Sequence, residues 1–437
     1  MSHSQRIGCA RPLDRVDRSS LGEKVIHRYT RFELLEGNGL SGTAHLIRKL
    51  IPFCALALAA CVPSGSGPDV VARSGGSCPV DLGVFRPGAA TVAATGDVLL
   101  HRLIQEDAAA RPDGFAPAFA HVAPYLSRAD LTVVNLEGPA AEGVLPGGRA
   151  ASEAPRSVFD NRVYTGYPQF NYHPSIAGVL DRVGVDVVQT ANNHALDRGP
   201  LGVDRTLEAL ARAGLRSTGT RARGTGGPWH TTVRLPMSGG SATVAILACT
   251  YSVNGLPNPN GQALMCYGSS PSVPSLIRGL AADPAIDAVL LTPHWGQEYS
   301  ARPDGQQRRL ARAAIEAGAA AVIGAHPHVL QPIEEIVASD GRRGFVAYSL
   351  GNFLSSQWAL PRRTGAILYF DLARDGQGRV VAHPPRALVT RGERYVSQGV
   401  VVAPAATIST GGASIAHARA VLGEARVISP EDLACAR

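Results

Sequence analysis

The chain has 437 residues, with 42 Lys and Arg against 35 Asp and Glu, 45% hydrophobic and 18% charged. This is the profile of a globular chain, long enough for one large α/β domain or two ordinary ones. Much of the net charge of +7 sits at the front: residues 1–60 carry nine basic and five acidic side chains and the rest stands at 33 against 30, so a nucleic-acid partner is not indicated. Both lysines, Lys24 and Lys49, lie in that front piece, which also excludes a P-loop or Schiff-base lysine from the body.

Arg48-Lys49 precedes a short apolar run, Leu50 to Ala57, and then Leu58-Ala59-Ala60-Cys61. The run is well short of the roughly 20 residues a spanning helix needs, and small residues before a cysteine read as an export signal with a lipidation site. The pattern resembles a bacterial lipoprotein signal. That resemblance implies cleavage before Cys61, a lipid on its sulfur, and anchoring to the outer face of the cytoplasmic membrane. Signals normally begin within about 15–30 residues of the start, so residues 1–40 are either an unusually long charged leader or untranslated. Val62 to Ser77 is rich in Pro, Ser and Gly and reads as a tether. The expected organisation is leader and signal over 1–60, tether over 61–77, main domain over 78–370, and a C-terminal extension over 371–437 packed on that domain. Four cysteines remain beyond Cys61. In an exported protein they can pair, with Cys249–Cys266 and Cys78–Cys435 expected among three connectivities, or stay as buried thiols.

The body repeats one local pattern, a β-rich apolar run followed by a sudden polar cluster and often an amphipathic segment, which is the sequence form of α/β layering. Thr91 to Thr95 leads into Gly96-Asp97-Val98-Leu99-Leu100-His101, and Leu131 to Val134 into Asn135-Leu136-Glu137-Gly138. Val185 to Thr190 leads into Ala191-Asn192-Asn193-His194, and Ala288 to Thr292 into Pro293-His294-Trp295-Gly296-Gln297-Glu298-Tyr299. Ala320 to Ile323 leads into Gly324-Ala325-His326-Pro327-His328, and Phe345 to Tyr348 into Ser349-Leu350-Gly351-Asn352-Phe353. Open α/β sheets place ligands at the carboxyl ends of their strands, so such clusters can converge. Helices are expected at Gly202 to Ala213 and Arg308 to Ala319, and one beginning at Leu99-Leu100. The turn-rich stretches Glu142 to Tyr172 and Tyr251 to Ser275 read as lids or rims.

Asp97, Glu137, Asn193, His294, His326 and His328 are oxygen and imidazole donors, a set that suits Mn, Fe or Zn. Taken singly, Asp97 reads equally as a turn residue or a helix N-cap, Asn192-Asn193 as a bare turn, and His294 as an ordinary core or surface histidine. Proline between His326 and His328 is expected to hold an extended backbone that sends both imidazoles to one side. Together the six read as a site for two metal ions sharing one carboxylate, a centre that attracts phosphate.

In type and order these motifs resemble the bacterial capsule-synthesis CapA family, linked to poly-γ-glutamate production and placed in the calcineurin-like metallophosphoesterase superfamily. The resemblance covers about Ala90 to Phe370. It implies an α/β fold, a sandwich of two mixed β-sheets flanked by helices in α-β-β-α layers. It further implies two divalent transition metal ions, one held by Asp97, Glu137 and His328 and the other by Glu137, Asn193, His294 and His326. His194 would face the substrate as the catalytic residue, or else fix its loop. Two departures from the superfamily stand out: Leu99 occupies the position of the histidine usual after Asp97, leaving His101 as the nearest candidate ligand or supporting residue, and the bridging group is Glu instead of Asp. Glu298, Tyr299 and Asn352 match the family alone and would shape substrate choice or support the ligands. Arg198, Arg302 and Arg102 are candidates for holding an anionic substrate.

The function implied is an exported phosphoesterase-type protein of capsule, poly-γ-glutamate or other envelope polymer production, in which metal-activated water attacks a phosphate ester. Its partners would be an anionic polymer or phosphate-ester substrate, the membrane through Cys61, and an envelope polymer-synthesis complex, with no nucleic acid. The alternatives are a non-catalytic scaffold that binds an anionic polymer, and a metal-dependent amide hydrolase.

Overall fold

The computed structural model describes residues 82–435. The leader, the tether, Cys61 and Cys78 lie outside them, and with Cys78 so does its expected pairing with Cys435. The chain opens with four parallel neighbours, β1 (Ala90–Val98), β2 (Leu131–Leu136), β3 (Val187–Gln189) and β4 (Arg216–Thr218). It then crosses to a second sheet, β5 (His230–Met237), β6 (Gly240–Thr250), β7 (Ala288–His294), β8 (Ala319–Ile323), β9 (Ile333–Val337) and β10 (Arg343–Ala347), ordered β5-β6-β7-β8-β10-β9. There β6, β7, β8 and β10 are parallel and the two edges antiparallel.

The chain returns to the first sheet with β11 (Asn352–Leu354), β12 (Thr364–Arg374), β13 (Val380–Ala382), β14 (Arg386–Tyr395), β15 (Gly399–Pro404) and β16 (Val427–Ile428). β12 pairs antiparallel with β1, giving the order β15-β14-β12-β1-β2-β3-β4. The expected boundary at residue 370 therefore falls inside β12, and the stretch from 371 onward supplies β13 to β16 of the first sheet.

Side chains alternate across each strand and so feed three separate cores. Val92 and Ala94 of β1, with Ala366, Leu368 and Phe370 of β12, meet Val244, Ile246, Leu290 and Phe345 between the sheets. The opposite faces, through Ala93, Ile367 and Tyr369, pack against helices that include Ser175–Arg182. Ala245, Leu247 and Val289 of the second sheet pack against Val273–Ala282 and Gly305–Ala317. The molecule is thus an α-β-β-α sandwich of two mixed sheets.

The two long helices fall a few residues early, at Gly199–Arg212 and Gly305–Ala317. The second is opened by a capping box of Asp304 with Gln307 and closed by Gly318 at φ 122°, which sequence periodicity cannot register. Leu99 and Leu100 are buried as expected but precede their helix, which spans Arg102–Ala109 with His101 at its N-cap. The Leu99 N–H is held by the Leu354 carbonyl at 2.9 Å, so the chain stays on the sheet for two residues more.

Gly96 is where β1 meets the segment after β10: a Cβ there would lie 1.8 Å from the Gly351 carbonyl oxygen. Gly96→Ala is therefore expected to cost roughly 1–3 kcal/mol through overpacking, read as a fall of several degrees in the thermal midpoint. An unchanged midpoint would show that the two segments separate freely.

Candidate metal centre

The carboxyl ends of both sheets' parallel strands come together at one end of the sandwich. β1 delivers Asp97, β2 is followed by Glu137, β3 by Asn192 to His194, β7 ends on His294, and β8 is followed by His326 and His328. Asp97 is neither turn nor cap but a buried strand residue in register with Asn135 and Asn352. The β1–β2 register shifts between Ala94 and Asp97, an irregularity of the kind that re-aims a side chain at a strand end.

Glu137, fully buried, is the centre of the cluster. Its Oε1 lies 3.5 Å from His294 Nε2 and 3.8 Å from His328 Nε2, yet neither carboxylate oxygen forms a hydrogen bond. Asp97 accepts from Asn135 Nδ2 at 2.8 Å and lies 3.1 Å from His328 Nδ1. His294 pairs through Nε2 with Asn193 Oδ1 at 2.9 Å. Ligand atoms of Glu137, His326 and His328 fall within 4.8 Å of one another, as do those of Asp97, Glu137 and His294. The two triads share Glu137, and His328 also lies beside Asp97.

The His326-Pro327-His328 turn is not extended as expected. His326 has φ 99° and His328 φ 58°, left-handed values that L residues rarely adopt. The turn is fixed from outside: the His326 N–H donates to both Asp97 oxygens at 3.3 Å, and the Tyr299 N–H donates to the Pro327 carbonyl at 2.8 Å. The two rings end 5.7 Å apart, with His294 4.7 Å from His326.

The electrostatics follow from burial. Burial alone would raise the Glu137 carboxyl, but the His328 and His294 imidazoles hold it well below the usual range. Burial opposes charge on His328, yet Glu137 and Asp97 lift it to about 9. Burial and then His294 push His326 well below its ordinary value, leaving a neutral ring whose buried Nδ1 has no partner. A carboxylate with both oxygens unbonded beside an unpartnered imidazole nitrogen fits a divalent transition metal, whose ligands are such donors.

His194 sits beside the cluster, its Nδ1 2.7 Å from Asp197 Oδ2 and its ring 4.7 Å from Phe170 in an edge-on contact. Burial disfavours its charged form, but Asp197 raises it above its ordinary value. His101 lies near without joining either triad; burial and then His328 lower it to about 4. Asn352 is buried and donates to the His328 and Arg362 carbonyls, whereas Glu298 and Tyr299 are exposed at the rim. Of the substrate or supporting role expected for Arg198, the geometry fits the supporting one: it is wholly buried and donates to the Gln169 and Asp197 carbonyls and to Thr165, clamping the loop. Arg102 is paired with Glu106.

Sequence reading gave no role to Asn135, Asp197, Tyr251 or Asn254. Asn135 bridges Asp97 and His294, Tyr251 packs 4.5 Å from His326, and Asn254 accepts from Asn193. Asn135 lies two residues before Glu137 and Asp197 three after His194, so both are within reach of a motif reading; Tyr251 and Asn254 carry no spacing signal. Cys249 and Cys266 form a disulfide that closes the loop bearing both.

Over residues 91–357 the chain matches the family described as "Bacterial capsule synthesis protein PGA_cap", and it belongs to that family, as its six motifs implied. It is 27% identical over 304 residues to the PGA biosynthesis protein CapA of Bacillus subtilis strain 168, covering 66% of this chain and 69% of that one. To the capsule biosynthesis protein CapA of Bacillus anthracis it is 27% identical over 297 residues, 65% of this chain and 64% of the relative. Among solved structures it is similar to a Staphylococcus aureus protein provisionally assigned as a 5′-nucleotidase, at 13% identity and TM-score 0.40, over 72% of this chain and 54% of that one. A hypothetical protein of Thermus thermophilus aligns at 16% identity and TM-score 0.38, over 68% of this chain and 99% of that one.

If Glu137 is the shared ligand, Glu137→Gln should lose bound transition metal by elemental analysis. It should also lose the stabilisation that added metal gives the wild type, about 2.7 kcal/mol at one hundred times the dissociation constant. Equal metal content in the two proteins would remove Glu137 from the ligand set.

Proposed function

We propose that the protein is an exported, metal-dependent phosphoesterase acting in the production of a capsule or other envelope polymer. The observation that carries this reading is the buried Glu137 carboxylate, unbonded at both oxygens and ringed by three imidazoles. Asp97, Glu137, Asn193, His294, His326 and His328 would hold two ions of Mn, Fe or Zn. Ions held there supply Lewis-acid polarisation of a phosphoryl oxygen and a lowered water pKa.

His194 serves the leaving side of the reaction. Asp197 fixes its Nδ1, and Nε2 forms no hydrogen bond among the described residues, so it is available to hold a proton for the departing oxygen. The groove beside it is lined by Gln169, Asn254 and Glu298 together with Tyr167, Pro168 and Leu256. A second reading, an envelope scaffold that binds an anionic polymer, draws on Leu99: this buried leucine stands where the superfamily's histidine is usual, and the first ion would be held by fewer ligands.

Export and lipid anchoring at Cys61 belong to the same proposal. The Cys249–Cys266 disulfide supports them, since such bonds persist in oxidising compartments. Mass spectrometry of the membrane fraction should find a lipid-bearing Cys61 at the mature N-terminus, and Cys61→Ser should move the protein out of that fraction. An unmodified, soluble wild type would overturn this part.

The chemistry is tested separately. His326→Ala combined with Asn193→Ala should abolish metal content and turnover of a generic phosphodiester. His194→Ala should keep the metal but lower kcat about 10²–10⁴-fold. Metal-loaded wild type without turnover, but with polymer binding, would favour the scaffold.

A further inference from the structure

Beside His328 stands an aromatic ring with an arginine laid on it. Tyr299 is 41% exposed and adopts φ 64°, a left-handed conformation unfavourable for an aromatic residue. Such a conformation persists only where the surroundings impose it. Here the Tyr299 N–H is bonded to the Pro327 carbonyl of the ligand turn, and its ring lies 5.9 Å from that of His328. The Arg362 guanidinium carbon sits 3.6 Å from the centre of the Tyr299 ring, a close cation–π contact.

The backbones of Arg362 and His328 are tied to the same side-chain amide. Asn352 Nδ2 donates to the Arg362 carbonyl at 2.8 Å, to Gln357 Oε1 at 3.2 Å and to the His328 carbonyl at 3.4 Å. Gln357 Nε2 in turn reaches the Tyr299 hydroxyl at 3.3 Å. The backbone carrying Arg362 is thereby registered against the backbone carrying His328. The guanidinium itself forms no ion pair and no hydrogen bond among the described residues, and Glu298 lies beyond ion-pair distance of it. A planar cation held in place, partly exposed and with its donors unused, is built to receive an oxyanion.

We infer that Arg362, seated on Tyr299, recognises a second negatively charged group of the substrate, a carboxylate or phosphate carried one substituent away from the ester that reacts at the metal centre. The inference rests on the phosphoesterase reading for the identity of that ester, but not for the binding of the anion. Arg362 thus sets specificity, and Asn352, Gln357 and Tyr299 position it.

The test compares 4-nitrophenyl phosphodiesters whose second ester group is phenyl, 4-carboxyphenyl or 4-phosphonophenyl, using the metal-loaded full-length protein. In Arg362→Ala the ratio of kcat/KM for the charged diesters to that for the phenyl diester should fall about tenfold, the worth of one charge-assisted contact. Arg362→Lys should give an intermediate ratio. Tyr299→Phe, which keeps the ring, should preserve the ratio, and Tyr299→Ala should lower it. The larger loss between the carboxylate and phosphonate arms identifies the anion. A parallel fall for all three diesters, or an unchanged ratio, would overturn the inference. Should wild type turn over none of them, calorimetric binding of the same three compounds decides it. Selective weakening of the charged pair in Arg362→Ala sustains the subsite while the phosphoesterase reading fails, and equal binding removes the subsite as well.

Discussion

Glu137 puts a carboxylate with no exposed surface at the place where two β-sheets abut, and much of the local structure can be read as the means of keeping it there. A buried carboxylate is expensive unless opposite charge or hydrogen bonds offset it. In this protein the offset comes from imidazoles, His328 and His294 of the second sheet foremost, while neither oxygen has a hydrogen bond within normal distance. Neither sheet could hold the group by itself. The first supplies the acids and the second the imidazoles, so the sandwich interface and the site are one construction.

That construction demands positional accuracy, and the backbone supplies it by unusual means. The Tyr172 hydroxyl donates to the Glu137 carbonyl, and Gly138 takes φ 132° with its missing Cβ directed at the Tyr172 ring. Asn135 bonds both Asp97 and His294, joining a strand of the first sheet to the last residue of β7. The left-handed His326 and His328 are braced by Asp97 on one side and by Tyr299 on the other. Strain of this sort accompanies function when surrounding contacts over-determine it, and each of these contacts also positions a donor.

Much of the layering was legible in the sequence because burial on both faces leaves a periodic trace: Val92 and Ala93 face different cores, and so do Ile246 and Leu247. The polar breaks after each parallel strand were equally visible, since a strand that runs into Asp97 or His294 changes character within a residue. Other features leave no such trace. The turn at Pro327 reads as extended because proline's restriction on its neighbour is local, whereas the left-handed values come from partners far along the chain. Arg198 looked like a substrate ligand because sequence reports charge and not direction; its guanidinium is spent on the Gln169 and Asp197 carbonyls. The boundary near residue 370 has no trace in the sequence because β12 and β14 complete a sheet begun almost three hundred residues earlier, and strand pairing at that separation has no local signature.

The loop closed by Cys249 and Cys266 connects these threads. It carries Tyr251 onto His326 and Asn254 onto Asn193, so two donors of the cluster are backed by a segment that contains little regular structure of its own. Both sulfurs are buried, and the backbone on either side is drawn together by the Thr250 N–H to the Leu264 carbonyl and the Cys266 N–H to the Thr250 carbonyl. A covalent closure there reduces the freedom of the loop in the unfolded chain and keeps its two contacts in reach when folded. His326 and Asn193, which follow β8 and β3, are thus backed by a stapled loop as well as by the strands that carry them. Loosening of that loop would act first on His326, whose ring packs on Tyr251 and whose buried Nδ1 has no hydrogen-bond partner.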